Sequence, residues 1–323
     1  MKLEQYKKDF LEHVKANITI EEPSNLYTPV EYILDLGGKR LRPILVLMGV
    51  SAFNGDYKDG LDAALAVEVF HNFTLLHDDI MDAAPLRRGK RTVHEKWDVN
   101  TAILSGDAML IMANQLLESY DGMVYKKLMQ LFNKTALEVC EGQQYDMDFE
   151  TRDLVSVEEY IKMIGLKTSV LVAAALEMGA IIAEASEEDS KKIYDFGLHL
   201  GIAFQLQDDY LDAFGDAATF GKQVGGDIME NKKTYLYIEA LNHATPTLKK
   251  ELEDWYGQTL EDNTEKVVRV KEIFKLVGSD TMTREAIETY TNKAFALLEN
   301  MDISETNGAV LKQFGEHLMT RAV

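Results

Sequence analysis

An internal disulfide is excluded for this chain, because Cys140 is its single cysteine. A lone thiol fits a reducing compartment, and a cytoplasmic protein is expected. Proline is almost as scarce. The five prolines stand at 23, 29, 43, 85 and 246, with none between Pro85 and Pro246. A span that long loses the residue most disruptive to helices. Positive charge is in deficit: 34 Lys and Arg against 54 Asp and Glu give a formal charge of −20 and a pI of about 4.8. Phosphate backbones and anionic lipid would be repelled, so nucleic acid is not an expected partner. Any anionic ligand must be held by a local basic cluster against the overall field. Long apolar runs are missing too. The segment LVAAALEMGAIIAEA is broken by Glu177 and falls short of the ~20 residues of a membrane helix. The amino-terminal MKLEQYKKDFLEH is charged throughout and has no signal-peptide core. Neither an integral membrane protein nor a secreted one is expected.

What is present reads as helix. Hydrophobic residues make up 46% of the chain, enough for a large core. Residues 61 to 83 run without glycine or proline and stop just before Pro85. Ser156 with Glu159 has the spacing of a capping box, opening VEEYIKMIGLKTSVLVAAALEMG. Residues 191 to 214 form another helix, stopped by Gly215. The stretch 219 to 234, TFGKQVGGDIMENKKT, is polar, glycine-spaced and lysine-rich, and reads as a mobile loop that could close over bound anions. Length alone would suggest about two domains. No linker or low-complexity tract divides the chain, so one all-α domain over 1–323 is expected.

One internal echo carries chemistry. DDIMD at 78–82 is matched by DDYLD at 208–212, each near the end of a long apolar helix. Asp78 and Asp82 share a helix face, where like charges cost roughly 0.2–0.5 kcal/mol unless something compensates. A single acidic helix end is most often just solvated. Two copies in apolar helices point to a bound cation, because an isolated carboxylate in an apolar wall is strongly disfavoured. Oxygen donors without a Cys or His cluster favour Mg²⁺ over zinc, and Mg²⁺ completes its shell with water and substrate phosphates. A diphosphate pocket is the chemical reading. GGKRLRP supplies Lys39, Arg40 and Arg42 after a double glycine, and LRRGK supplies Arg87 and Arg88 beyond the first motif. His71 lies seven residues before Asp78. Each signal alone is weak, but together they suggest a second, metal-free anion site.

In that order GGKRLRP, LLHDDIMD, RRGKRTVH, GDAML, GLKTS, FQLQDDYLD and FGKQVGGDIMENKKT resemble the trans-polyprenyl diphosphate synthases, which include farnesyl and geranylgeranyl diphosphate synthases. The matches span residues 37 to 234. The resemblance implies an isoprenoid synthase fold, with helices surrounding a central active-site cavity, and a homodimer. It implies Mg²⁺, three ions with substrate bound, held by Asp78, Asp82, Asp208 and Asp212. Arg87, Lys167, Lys222 and Lys232 would hold an allylic diphosphate (dimethylallyl, geranyl or farnesyl). Lys39, Arg42, His71 and Arg88 would hold isopentenyl diphosphate, while Thr168 and Gln205 would face the developing allylic cation. Phe73 and Thr74, five and four residues before Asp78, would floor the product cavity. One aromatic there goes with fifteen- to twenty-carbon products in that family, so a short-chain synthase is expected. Arg91 stands where the family usually has proline, and Asn231 where many members have glycine. The rivals are a longer-chain synthase, a class I terpene cyclase, a non-catalytic subunit and a purely structural helical protein. The second aspartate motif and the basic cluster argue against the last three.

Overall fold

Apolar residues recurring at helical spacing become helices almost everywhere in the computed structural model, which describes residues 2–215, 224–260 and 262–320. The structure is 79% helical, and the strand content among the described residues is one two-stranded hairpin, so the all-α expectation is met. The described residues divide into two compact units. The first comprises Met1–Asn133, Ala174–Ile193 and Asp302–Asn307, and the second Lys134–Ala173, Tyr194–Met301 and Gly308–Val323.

The first unit is built on α1 (Lys2–Asn17), α2 (Ser24–Asp35), α3 (Leu41–Ala52), α4 (Leu61–Met81), the short α5 (Val93–Lys96) and α6 (Val99–Leu117). Helix α4 is apolar on every side along Ala63–Val67, and all five residues are buried, as such a helix must be. It ends at Met81, two residues short of the run read over 61 to 83: Asp82 is the C-cap, and its N–H still bonds the Asp78 carbonyl at 2.9 Å. The α6 start is fixed by Asp98, whose side chain accepts from the Thr101 amide at 2.9 Å. Two glycines let backbones touch in this unit. A Cβ on Gly49 would sit 2.3 Å from the Leu176 carbonyl oxygen, and one on Gly179 2.3 Å from that of Val46.

The second unit buries a core drawn from α8 (Val157–Ile164), the carboxy-terminal part of α10 (Glu187–Phe214), α12 (Tyr235–His243), α13 (Pro246–Tyr256) and α14 (Thr264–Val277). It also holds the later part of α7 (Gly122–Thr151), the short α11 (Gly226–Met229), α15 (Ser279–Leu298) and most of α16 (Glu305–Met319). The capping box at Ser156 and Glu159 forms as its spacing suggests, with both reciprocal bonds present. The segment that follows departs from a plain helix. Gly165–Ser169 winds as a π turn before α9 (Val170–Ile182) resumes. That turn joins the flanks into one 26-residue helix, Val157–Ile182, long and apolar enough by length and composition to cross a membrane. Lys167 and Glu177 lie within it, so it is not an uninterrupted apolar run. In the fold, 78% of the helix's most apolar stretch is buried inside the protein, which accounts for its hydropathy as core packing.

The loop expected over 219 to 234 is only partly one. Its first residues, including Lys222, lie outside the described residues, whereas Gly226–Met229 is a turn of helix and Thr234 caps the next one. The helix read as 191 to 214 starts earlier, at Glu187, and ends at Gly215 as expected.

Candidate active site

In the first unit the chemistry gathers around the end of α4. Asp79, two-hundredths exposed by area, accepts from the Arg87 Nε at 2.8 Å on both carboxylate oxygens, and Arg87 Nη2 lies 2.7 Å from its Oδ1. The same Nη2 stands 3.7 Å from Asp78 Oδ2. Burial pushes the Asp79 carboxyl above the usual carboxylate range, and Arg87 opposes that shift. The middle aspartate of the motif is therefore the anchor of Arg87, a role the sequence reading left unassigned. The signal was available. Asp79 lies three and seven residues after Leu76 and Asn72, which places it on their buried face, whereas Asp78 and Asp82 fall on the wetter one.

Arg87 and Arg88 part company because they sit in a tight hairpin. Leu86–Arg87 pairs with Lys90–Arg91, and the two linking residues, Arg88 and Gly89, both have positive φ (54° and 74°). Two left-handed residues are what a two-residue hairpin loop demands. Arg88 donates to the Gly37 carbonyl, and its guanidinium lies against Gly38, where a Cβ would come within 2.9 Å of it. The double glycine does permit a close approach, and the group that approaches is Arg88. Arg91 offers its carbonyl to the Tyr32 hydroxyl at 2.7 Å.

His71 is the focus of the basic residues. Arg42 Nη1 lies 3.1 Å from His71 Nε2. A guanidinium can only donate, so Nε2 accepts and the ring proton sits on Nδ1. Burial, then the charges of Arg42, Arg88, Arg87 and Arg40, hold the imidazole well below its ordinary range, and it is neutral at pH 7. Lys39 is exposed on the turn before α3. Arg40, grouped with it in the sequence, turns inward instead: it is buried, pairs with Glu68 and donates to the Leu34 carbonyl. Asn72 Nδ2 donates to the same Glu68 oxygen at 3.1 Å. Phe73 is buried against Phe70 and His77, with ring centroids 5.7 and 4.7 Å away, and Thr74 Oγ1 donates to the His71 carbonyl at 2.8 Å.

The second unit repeats the logic with different donors. Asp209, like Asp79, is the buried middle member of its motif. It accepts from the Tyr160 hydroxyl and, at 3.1 Å, from Gln205 Nε2. Burial and the charges of Asp227 and Asp208 push its carboxyl up to about 8, against the bonds from Tyr160 and Gln205. Thr168 Oγ1 donates to Gln205 Oε1 at 3.4 Å, which extends the chain Thr168–Gln205–Asp209–Tyr160. Lys167 and Thr168 are carried by the π turn, a feature frequent at functional sites because it re-aims side chains within a helix. Gly142 of α7 makes room for that turn: a Cβ there would lie 2.2 Å from the Lys167 amide nitrogen. Lys167 Nζ pairs with Asp146 at 2.6 Å. Asp212 accepts from the Asp227 amide at 3.0 Å, tying the motif to α11. Lys232 lies 2.9 Å from Glu230 and 3.9 Å from Asp227. Burial opposes its charge, but Glu230, Asp227 and Asp146 hold it above an ordinary lysine.

Among the described residues no group of three or more His, Cys, Asp or Glu side chains forms a metal cage. The donors offered are half-buried or exposed carboxylates, Asp78 with Asp82 one turn on, and Asp208 with Asp212. That set fits Mg²⁺, which takes one or two carboxylates and fills its shell from water and phosphate.

The chain matches the polyprenyl synthetase family model over residues 23–277. It is 40% identical over 315 residues to a geranylgeranyl diphosphate synthase of Saccharolobus solfataricus, covering 95% of this chain and 92% of that protein. It is 36% identical over 314 residues to a geranylgeranyl pyrophosphate synthase of Geoglobus acetivorans, covering 96% and 95%. A crystal structure of a geranylgeranyl pyrophosphate synthase, 55% identical, superposes with a TM-score of 0.95 over 99% of both chains.

Proposed function

The chain belongs to the polyprenyl synthetase family and is a prenyltransferase, and on that premise we propose that it condenses an allylic diphosphate with isopentenyl diphosphate to give a short-chain product, geranylgeranyl or farnesyl diphosphate. The observation that carries the reading is the placing of Arg42 against His71, with the charges of Arg88 and Arg87 also bearing on that ring, in a chain of formal charge −20 and two helical turns before Asp78. Such a basic pocket beside carboxylates serves anions that arrive with a divalent cation.

Asp78, Asp82, Asp208 and Asp212 would hold Mg²⁺, three ions with substrate bound, which supplies charge neutralisation for the leaving diphosphate. Arg87, kept in place by Asp79, would grip the allylic diphosphate, with Lys167 and Lys232 in the same role. Lys39, Arg42, His71 and Arg88 would grip isopentenyl diphosphate. The allylic C–O bond breaks and leaves a carbocation. The double bond of isopentenyl diphosphate attacks it, and the new carbon–carbon bond is followed by loss of a proton to the released diphosphate. Thr168 and Gln205 present oxygen dipoles to the cation, and most of the acceleration is preorganised electrostatics with exclusion of water. The side chains of Phe73 and Thr74 would floor the product cavity.

A cytoplasmic homodimer is part of the same proposal. Ile103, Leu104 and Ile111 of α6 are 39%, 60% and 61% exposed and, at spacings of seven and eight residues, form one apolar stripe. A second copy of the chain would cover it. The test of function is incubation with Mg²⁺, each allylic primer and isopentenyl diphosphate, followed by chromatography of the products. Asp82→Ala should lose orders of magnitude in turnover while its thermal midpoint without Mg²⁺ is unchanged or higher. No product from the wild-type protein with any primer would refute the assignment.

A further inference from the structure

Lys266, at the start of α14, has no exposed surface. Lysine is almost never fully buried unless paired, and among the described residues no carboxylate pairs with this one. Its ammonium instead donates to Asn231 Oδ1 at 2.5 Å and to the Gln258 carbonyl at 3.2 Å. Asn231 Nδ2 reaches the same carbonyl at 3.4 Å. A buried charge resting on neutral oxygens is costly, and burial duly lowers the ammonium's affinity for its proton. Such an arrangement calls for a cause.

The cause lies in how α11 ends. The Asn231 amide returns to the Ile228 carbonyl at 3.3 Å, and the Lys232 amide returns to that of Asp227 at 2.9 Å. These bonds close a helix stop in which one residue must be left-handed, and Asn231 takes that conformation at φ 58°. Glycine fills such a position without strain. Asparagine tolerates it less well. The stop decides where Lys232 points, because its amide is bonded back to Asp227 and its ammonium pairs with Asp227 and Glu230.

We propose that Lys266 is a positioning residue for Lys232: its buried ammonium clamps the Asn231 side chain and so holds the left-handed turn that aims Lys232 at a bound diphosphate. The inference rests on the reading of Lys232 as a diphosphate ligand. It also explains why the clamp is needed, since the requirement comes from asparagine standing where glycine would hold the turn by itself.

The experiment compares Lys266→Met, Asn231→Ala, Asn231→Gly and the double variant Asn231→Gly/Lys266→Met. The readouts are calorimetric affinity for inorganic pyrophosphate with Mg²⁺, and steady-state kinetics. Lys266→Met and Asn231→Ala should each weaken pyrophosphate binding and raise the allylic KM about tenfold, the scale of one lost bond to a charged group. The isopentenyl diphosphate KM should stay within about twofold, since its ligands lie in the other unit. Asn231→Gly should behave as wild type, and the double variant should recover to within about threefold of it, because glycine needs no clamp. A pyrophosphate affinity unchanged in both Lys266→Met and Asn231→Ala would overturn the proposal. So would a double variant no better than Lys266→Met, which would make Lys266 an ordinary core residue. Should the wild type bind pyrophosphate but make no product, the prenyl-transfer reading fails, while the binding series still decides the clamp.

Discussion

Gly142 and Gly165 are the same residue type on either side of one contact, and they should respond to alanine in opposite ways. Gly142 lies on α7 against the π turn. A methyl there would stand 2.2 Å from the Lys167 amide nitrogen, 2.6 Å from its Cα and 2.7 Å from the Leu166 carbonyl carbon. These are backbone atoms, which cannot rotate aside as a side-chain tip would. The two backbones must part by roughly 1 Å to regain ordinary contact. Overpacking of this kind typically costs about 1–3 kcal/mol, a loss of a few degrees in the thermal midpoint for a chain of this size. The functional cost should be larger than the stability cost suggests. The displaced turn carries Lys167 and Thr168, and a misplacement of about 1 Å can cost on the order of a hundredfold in rate. Gly165, within the turn's own GLKTS, has nothing within 4 Å of where its methyl would go. Alanine there should keep activity and add about 0.5–1 kcal/mol of stability, because glycine in a helix interior is the more costly residue. The assay is kcat/KM by pyrophosphate release, with thermal midpoints alongside. A Gly142→Ala enzyme with wild-type kcat/KM and midpoint would refute the reasoning, as would a Gly165→Ala enzyme more impaired than it.

Asp79→Asn should weaken allylic substrate binding more than isopentenyl diphosphate binding, because Arg87 loses its two-point anchor. The stability loss should be about 1–3 kcal/mol, below that of a sealed pair, since the Arg87 side chain is 23% exposed; equal effects on both KM values would contradict the anchor role. His71 stays neutral in the fold below its ordinary pKa of 6.5, under burial and the charges of Arg42, Arg88, Arg87 and Arg40. The unfolded chain therefore binds the extra proton, and stability contributed by this site falls as pH drops below 6.5. His71→Gln, which can still accept from Arg42, should flatten that decline between neutral pH and about pH 5, read as thermal midpoints; parallel curves for the two proteins would exclude it. Phe73→Ala should lengthen the product seen by chromatography and lower the midpoint, as removal of a buried aromatic costs about 3–5 kcal/mol. Unchanged chain length would move the floor of the cavity to other residues.

The amino-acid sequence by itself determined the helices and the chemical inventory. The proline-free span, the capping box at Ser156 and Glu159, and the stop at Gly215 all act locally, over a turn or two of chain, and each is found where its residues place it. The duplicated aspartates were equally legible, because spacing within one helix decides which of them share a face. Pairings between distant residues were decided only by the tertiary structure. The separation of Arg40 from Lys39 and Arg42 depends on Glu68 arriving from α4. The parting of Arg87 from Arg88 depends on Asp79 and Gly37 lying on different elements. The π turn under Lys167 and the clamp of Lys266 on Asn231 arise from contacts 20 or more residues away in sequence. A buried charge must find its partner wherever packing puts one, and no local pattern records which residue that will be.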